Sequence, residues 1–252
     1  MNETSRPLLE VEEVTMRFGG IVALDRLSLS LPPSSLHCIL GANGCGKTTL
    51  FNVLTGALKP TSGRVLFRGE DIAGRSPEVI ARLGISRKFQ VPGIYPELSV
   101  VENLELPLAA ATREPRLSTL IKSRLEGEKL ADLLAFSGLS GKRTVQAGQL
   151  AHGEKQRLEI AMLLAADADL LLLDEPTAGM SKGETQSVAQ LVKSLCEDRK
   201  KTVLVIEHDM NFVRDLDCKV LVMARGSVIA SGTYAEVRSN PKVIESYLGK
   251  AA

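Results

Sequence analysis

The sequence predicts an α/β fold: a parallel-stranded core, a portion of half-buried alternating strands ahead of it, and an inserted helical region. Three observations predict it. Short apolar runs such as "LHCIL" and "LLLLDE" suit strands covered on both faces. Stretches of helical pattern separate those runs, as parallel neighbours require. The first thirty residues instead alternate apolar with polar, the period of half-buried strands.

Taken in order, "LLEVEEVTMRF" (Leu8 to Phe18) and "LDRLSLSL" (Leu24 to Leu31) are the alternating strands. "LHCIL" (Leu36 to Leu40) is a buried strand that runs into a Gly-rich loop. "GRVLFRGEDI" (Gly63 to Ile72) is a strand and a turn. "SPEVIARLG" (Ser76 to Gly84) has a Ser cap, an early Pro and a closing Gly, so it is a short helix. From Val91 to Arg157 the texture turns polar and amphipathic, which marks residues 91–157 as a helical subdomain within one domain spanning 1–252. Residues 1–90 and 158–252 form the rest. "DLLLLDEP" (Asp169 to Pro176) restores the sheet. A helix (Glu184 to Asp198), the strand "TVLVIEH" (Thr202 to His208), a further helix and a hairpin around Arg225-Gly226 complete the chain.

Bulk properties narrow the function. The chain has 252 residues, enough for a full core. Its formal net charge is +1, which gives no drive toward nucleic acid or a membrane surface. No apolar run is long enough to span a bilayer, and "MNETSRPLLEVEEV" lacks the apolar centre of a signal peptide. Cys38, Cys45, Cys196 and Cys218 match no zinc or disulfide spacing, so reduced thiols in the cytosol are expected.

"GANGCGKTT" (Gly41 to Thr49) carries the chemistry. It is a Gly-x-x-x-x-Gly-Lys-Thr phosphate loop between a predicted strand and a predicted helix. Gly41, Gly44 and Gly46 let the backbone curl so that its N–H groups face one anion, and the helix N-terminus adds partial positive charge. Asn43 and Cys45 complete the loop. Lys47 can reach the β- and γ-phosphates of ATP, Thr48 can ligate Mg²⁺, and Thr49 can bond the α-phosphate. Asp174, at the end of its strand, can hold Mg²⁺ through water, and Glu175 can polarise an attacking water as general base. Cys45 is a small residue in a variable slot of the loop, and, at a helix start beside Lys47, also a candidate reactive thiol.

With these motifs in this order, the chain resembles the ATP-binding cassette (ABC) ATPases over nearly its whole length. The resemblance implies a P-loop NTPase (RecA-like) core with an antiparallel β subdomain and an inserted helical subdomain that carries the signature motif. Phe18 resembles the aromatic residue that stacks on adenine. Gln90, in "RKFQVPG", resembles the Gln that links metal and water to the membrane partner, and with Tyr95 it would line the groove for a permease helix. Leu150, Ala151, His152, Gly153 and Glu154 stand where the signature grips the γ-phosphate of ATP on the other subunit. "AGMS" (Ala178 to Ser181) stands at the D-loop, and His208 resembles the switch His that contacts the γ-phosphate.

Two positions depart from the family pattern. Ala151 lacks the Ser hydroxyl of the signature, and Ser181 replaces a common Asp. Such relaxed signatures resemble the branch that takes up branched-chain amino acids or urea. "RKFQ", "ENLEL" and "HGEKQRLEIAMLL" look most like the urea-type subunit. The resemblance implies a sister ABC ATPase (a heterodimer, with a homodimer open), two membrane permease subunits, a solute-binding protein, no nucleic acid, and a place on the cytoplasmic face of the inner membrane. Alternatives are a homodimeric cassette for another solute, such as an envelope lipid exporter, a soluble ABC protein of repair or translation, or a nucleotide sensor with one silent site.

Overall fold

Two sheets organise the chain in the computed structural model, which describes residues 6–88, 93–111 and 119–248. The first is antiparallel: β1 (Leu9–Phe18), β2 (Ile21–Leu31), β4 (Ser62–Phe67) and β5 (Glu70–Asp71), in the order β2-β1-β4-β5. Alternation along β1 and β2 turns one face, including Val11, Val14, Leu24 and Leu27, into the core.

The second sheet has the order β10-β9-β3-β8-β7-β6. Here β3 is Leu36–Gly41, β6 Ile85–Lys88, β7 Leu170–Asp174, β8 Thr202–Ile206, β9 Lys219–Ala224 and β10 Ser227–Gly232. The pairs β9/β3, β3/β8, β8/β7 and β7/β6 are parallel, and β9/β10 is the antiparallel hairpin. All five residues of β7 and all five of β8 are buried, as continuous apolar strands between two layers must be.

Helix α1 (Lys47–Leu54) fills the space between the sheets with Leu50, Phe51 and Leu54. On the other face α6 (Lys182–Glu197) lays Val188, Val192 and Leu195 against β7 and β8. A short α2 (Pro77–Leu83) precedes β6. The inserted region is helical as expected: α3 (Val100–Ala111), α4 (Thr119–Phe136) and α5 (His152–Ala165) share a separate cluster around Leu104, Leu133, Leu134 and Leu158. Helix α5 runs unbroken through the expected boundary at residue 157. Its Ile160 packs into the β7/β8 layer, while Leu158 and Ala161 serve the insertion. The chain ends in α7 (Met210–Leu216), α8 (Tyr234–Ser239) and α9 (Pro241–Leu248).

One strand escapes the sequence reading. β6, "ISRK", has two cations in its last two places, yet Lys88 is buried and pairs with Glu159 of α5 at 3.4 Å. Among the described residues, no helix is long and apolar enough to cross a membrane, and all four cysteines are free.

Candidate nucleotide site

The phosphate loop lies where the sequence places it, between β3 and α1. Gly46 precedes the helix at φ 109°, and a Cβ there would lie 2.5 Å from Ala23 O. Gly41 is confined differently: a Cβ on it would meet Cys45 Sγ at 2.5 Å and Met223 O at 2.6 Å. Both positions therefore require glycine, one for conformation as well as space and one for space alone.

Lys47 opens α1, and its side chain is buried by the loop itself. Its Nζ donates to Gly41 O at 2.7 Å and Ala42 O at 3.0 Å. The ammonium is thus held by carbonyls that a phosphate oxygen can replace. Cys45 Sγ is 4.0 Å from the same nitrogen, and the thiol is buried, which removes the exposure a reactive cysteine needs.

A cavity of about 450 Å³ is lined by Asn43, Gly44, Gly46, Lys47, Thr48, Thr49, Glu175 and His208. The topology explains the convergence. β3, β7 and β8 are adjacent and parallel, so their C-terminal ends deliver the loop, Glu175 and His208 to one edge of the sheet. Glu175 has φ 47°, in the left-handed region that a non-Gly residue occupies at a cost, and its N–H donates to Ile206 O at 2.9 Å. His208 Nε2 lies 2.9 Å from Glu175 Oε1.

Asp174 sits directly behind, at the end of β7, with its side chain 2 % exposed. Arg87 of β6 reaches it: Nη2 donates to Asp174 Oδ2 at 2.7 Å, while Nη1 donates to Asn52 Oδ1 at 2.6 Å. The guanidinium also lies 5.3 Å from the centroid of the Phe51 ring. Arg87 thereby ties β6 to β7 and to the phosphate-loop helix. Sequence reasoning quoted it only as the first letter of "RKFQ" and gave it no role, because the strand that aims it was not recognised.

Phe18 ends β1 with 46 % of its surface exposed, an open aromatic face. Gln90 lies outside the described residues. Tyr95, 54 % exposed, is placed by its N–H donating to Asn103 Oδ1 at 2.8 Å.

The "LAHGE" stretch starts α5. Leu150 is buried in the insertion and Ala151 is the N-cap. Ala151 brings no cap oxygen, and Glu154 supplies what it can: its Oε2 accepts from Ala151 N at 3.1 Å and from Lys142 Nζ at 2.7 Å. The Lys142 contact, with the Ala151 N–H and Arg157, holds the Glu154 carboxyl below its ordinary range. His152 Nε2 lies 2.9 Å from Ala178 O. Gly153 N donates to Glu184 Oε1 at 3.2 Å, and the other Glu184 oxygen accepts from Ser181 N and Ser181 Oγ at 2.9 and 2.6 Å. These bonds hold the Glu184 carboxyl low. The signature stretch and "AGMS" are therefore stitched together within one chain. Among the described residues, the cavity beside Gly153, Glu154, Ser181 and Glu184 shares no lining residue with the phosphate cavity.

Comparison with known proteins identifies the family and the fold. Residues 24–178 match the family model "ABC transporter", and residues 227–252 match "Branched-chain amino acid ATP-binding cassette transporter". The chain is 39 % identical over 254 residues to the high-affinity branched-chain amino acid transport ATP-binding protein LivG of Escherichia coli K12, covering 98 % of this chain and 100 % of that one. It superposes on the ADP conformation of MJ1267, an ATP-binding cassette of an ABC transporter, with a TM-score of 0.84, 33 % identity and coverage of 97 % and 99 %. A dimeric post-hydrolysis cassette, MJ0796 bound to ADP and Pi, matches with a TM-score of 0.75, 26 % identity and coverage of 90 % and 98 %.

Proposed function

Because the chain belongs to the ABC transporter family of ATP-binding cassettes, we propose that it drives solute uptake as the hydrolytic subunit of an importer for branched-chain amino acids. It is an ABC-type ATPase. One observation carries the proposed chemistry: Lys47, Thr48, Thr49, Glu175 and His208 line a single cavity at the end of three parallel strands. The solute is supported by the identity to LivG and by the C-terminal match over residues 227–252. Urea or short amides form a second reading, favoured by "RKFQ", "ENLEL" and "HGEKQRLEIAMLL".

In this reading the triphosphate lies along the loop, its oxygens taking the N–H groups of residues 44–49 and the α1 N-terminus. Lys47 Nζ leaves the Gly41 and Ala42 carbonyls for the β- and γ-phosphates. Phe18 offers its exposed ring to adenine. Glu175 orients and deprotonates the attacking water. His208, now on Glu175, turns its Nε2 toward the γ-phosphate and orders the charge that develops there. Thr48, Asp174 and Gln90 are hard oxygen donors and would hold Mg²⁺, which supplies charge neutralisation across the phosphates when bound.

The signature stretch acts on ATP held by a second cassette, so a working site needs two chains. The dimer of MJ0796 supports that arrangement. We place a sister ATPase opposite this chain, with a homodimer as the alternative, and two permease subunits that the family pattern would dock on Gln90 and Tyr95. A solute-binding protein would deliver the cargo. The location is then peripheral, on the cytoplasmic face of the inner membrane.

The deciding experiment is ATP turnover by the chain alone and with its co-expressed partners. Glu175→Gln should bind ATP normally and lose turnover by roughly a hundredfold or more, the scale of a positioned general base. Normal turnover in that variant would refute the assignment of Glu175.

A further inference from the structure

Glu207, the residue before His208, ends with its carboxylate inside the protein, 3 % exposed. Four donors meet it. Oε1 accepts from Thr177 N at 2.9 Å and Thr177 Oγ1 at 2.5 Å. Oε2 accepts from His208 N at 2.8 Å and Asp209 N at 3.3 Å. A buried carboxylate is tolerable only when its charge is met in this way. The two oxygens are divided between two turns: one holds the segment just after Glu175, the other holds the segment that carries His208 and starts α7.

The geometry of those turns matters for the site. Glu175 and His208 come from neighbouring strands, and their side chains touch at 2.9 Å. The backbone bond from Glu175 N to Ile206 O joins the two strand ends. Both strands end here, and the Glu207 side chain joins the two segments that follow. Thr177 also leads directly into Ala178, whose carbonyl meets His152 of the signature stretch. One carboxylate therefore connects the turn behind the general base, the turn of the switch histidine and the path to the signature.

We propose that Glu207 is a positioning residue for hydrolysis: its buried carboxylate locks the turn after Glu175 to the turn of His208 and so sets the spacing of that pair. The proposal rests on reading Glu175 and His208 as the hydrolytic pair. Glu207 itself touches neither nucleotide nor water in this role. Its effect passes through the backbone at Thr177 and His208.

The test uses the full chain labelled with ¹⁵N-histidine, whose three histidines are assigned with the help of His208→Ala. Two variants are compared: Glu207→Ala, which removes the bridge, and Thr177→Val, which keeps the carboxylate and removes one donor. The His208 imidazole signals should move toward those of Glu175→Gln, fully in the first variant and partly in the second. With partners present, kcat should fall roughly tenfold or more while ATP affinity stays within about twofold, as for a misplaced catalytic pair. A purely structural role would lower the melting temperature and leave the His208 signals at their wild-type positions. Wild-type signals in both variants overturn the proposal. Full turnover in Glu175→Gln and His208→Ala would instead refute the reading of the pair, while the imidazole signals still decide the bridge.

Discussion

Arg87 and Asp174 form an ion pair at 2.7 Å with 5 % and 2 % of their side chains exposed. The pair joins the C-terminal ends of β6 and β7; Asp174 was legible in "LLLLDE", its cation was not. Arg87→Met leaves a buried carboxylate without its cation, which costs about 3–5 kcal/mol. Urea denaturation should show that loss. The double variant with Asp174→Asn should recover much of it, because the two positions share one interaction.

Ala151 is the N-cap of α5 with φ −61° and ψ 158°, a conformation that suits serine. Ala151→Ser restores an oxygen able to accept from the first-turn N–H groups. The gain should be about 1 kcal/mol in thermal unfolding. On the proposed reading the same hydroxyl can donate to the γ-phosphate of ATP on a second cassette, so the KM for ATP of the assembled transporter should fall. An unchanged KM would mean that the signature acts through its backbone alone.

Gly41→Ala places a methyl group 2.6 Å from the Met223 carbonyl and 2.5 Å from Cys45 Sγ. Backbone cannot step aside as a side chain can, so the loop must shift. ATP binding, read by equilibrium dialysis, should weaken by at least tenfold, about 1.4 kcal/mol. Gly183, which has open space around its Cβ direction, is the matched control: Gly183→Ala should bind ATP as the wild type does.

His37 in β3 is buried, and burial, reinforced by the Lys219 charge, lowers its pKa from 6.5 to about 4. The folded protein therefore resists protonation that the unfolded chain accepts. Stability from this group is complete above pH 6.5 and drains away as pH falls toward 4, by about 3 kcal/mol in all. His37→Gln should flatten the stability profile across that window. An equally steep profile in the variant would assign acid sensitivity elsewhere.

How much of this was legible in the sequence follows from the kind of force involved. The phosphate loop, β7 and β8 were readable because one apolar strand, one glycine pattern and one helix start coincide within a few residues. Phe18, Glu175 and His208 gained meaning only through their order along the chain. β6 was missed because its burial is balanced by partners far away in sequence, Glu159 and Asp174, and no local period records that. Glu184 had a local signal, the Ser-x-x-Glu of a capping box at Ser181, but its second bond, to Gly153, is a tertiary fact. Gln90 lies outside the described residues, and its role rests on the family pattern.

The bond from Gly153 to Glu184 has a consequence for the assembled machine. On the proposed reading, the donor meant for a neighbour's phosphate is already engaged at home by a tethered anion. Closing two cassettes is then an exchange of partners, not a gain from nothing, and its net driving force is a small difference between two similar bonds. The tethered anion has the advantage of proximity, the phosphate that of charge. Once hydrolysis has released the phosphate, the home bond can re-form without any outside agent. A clasp of this design favours separation at rest and resets itself after every cycle.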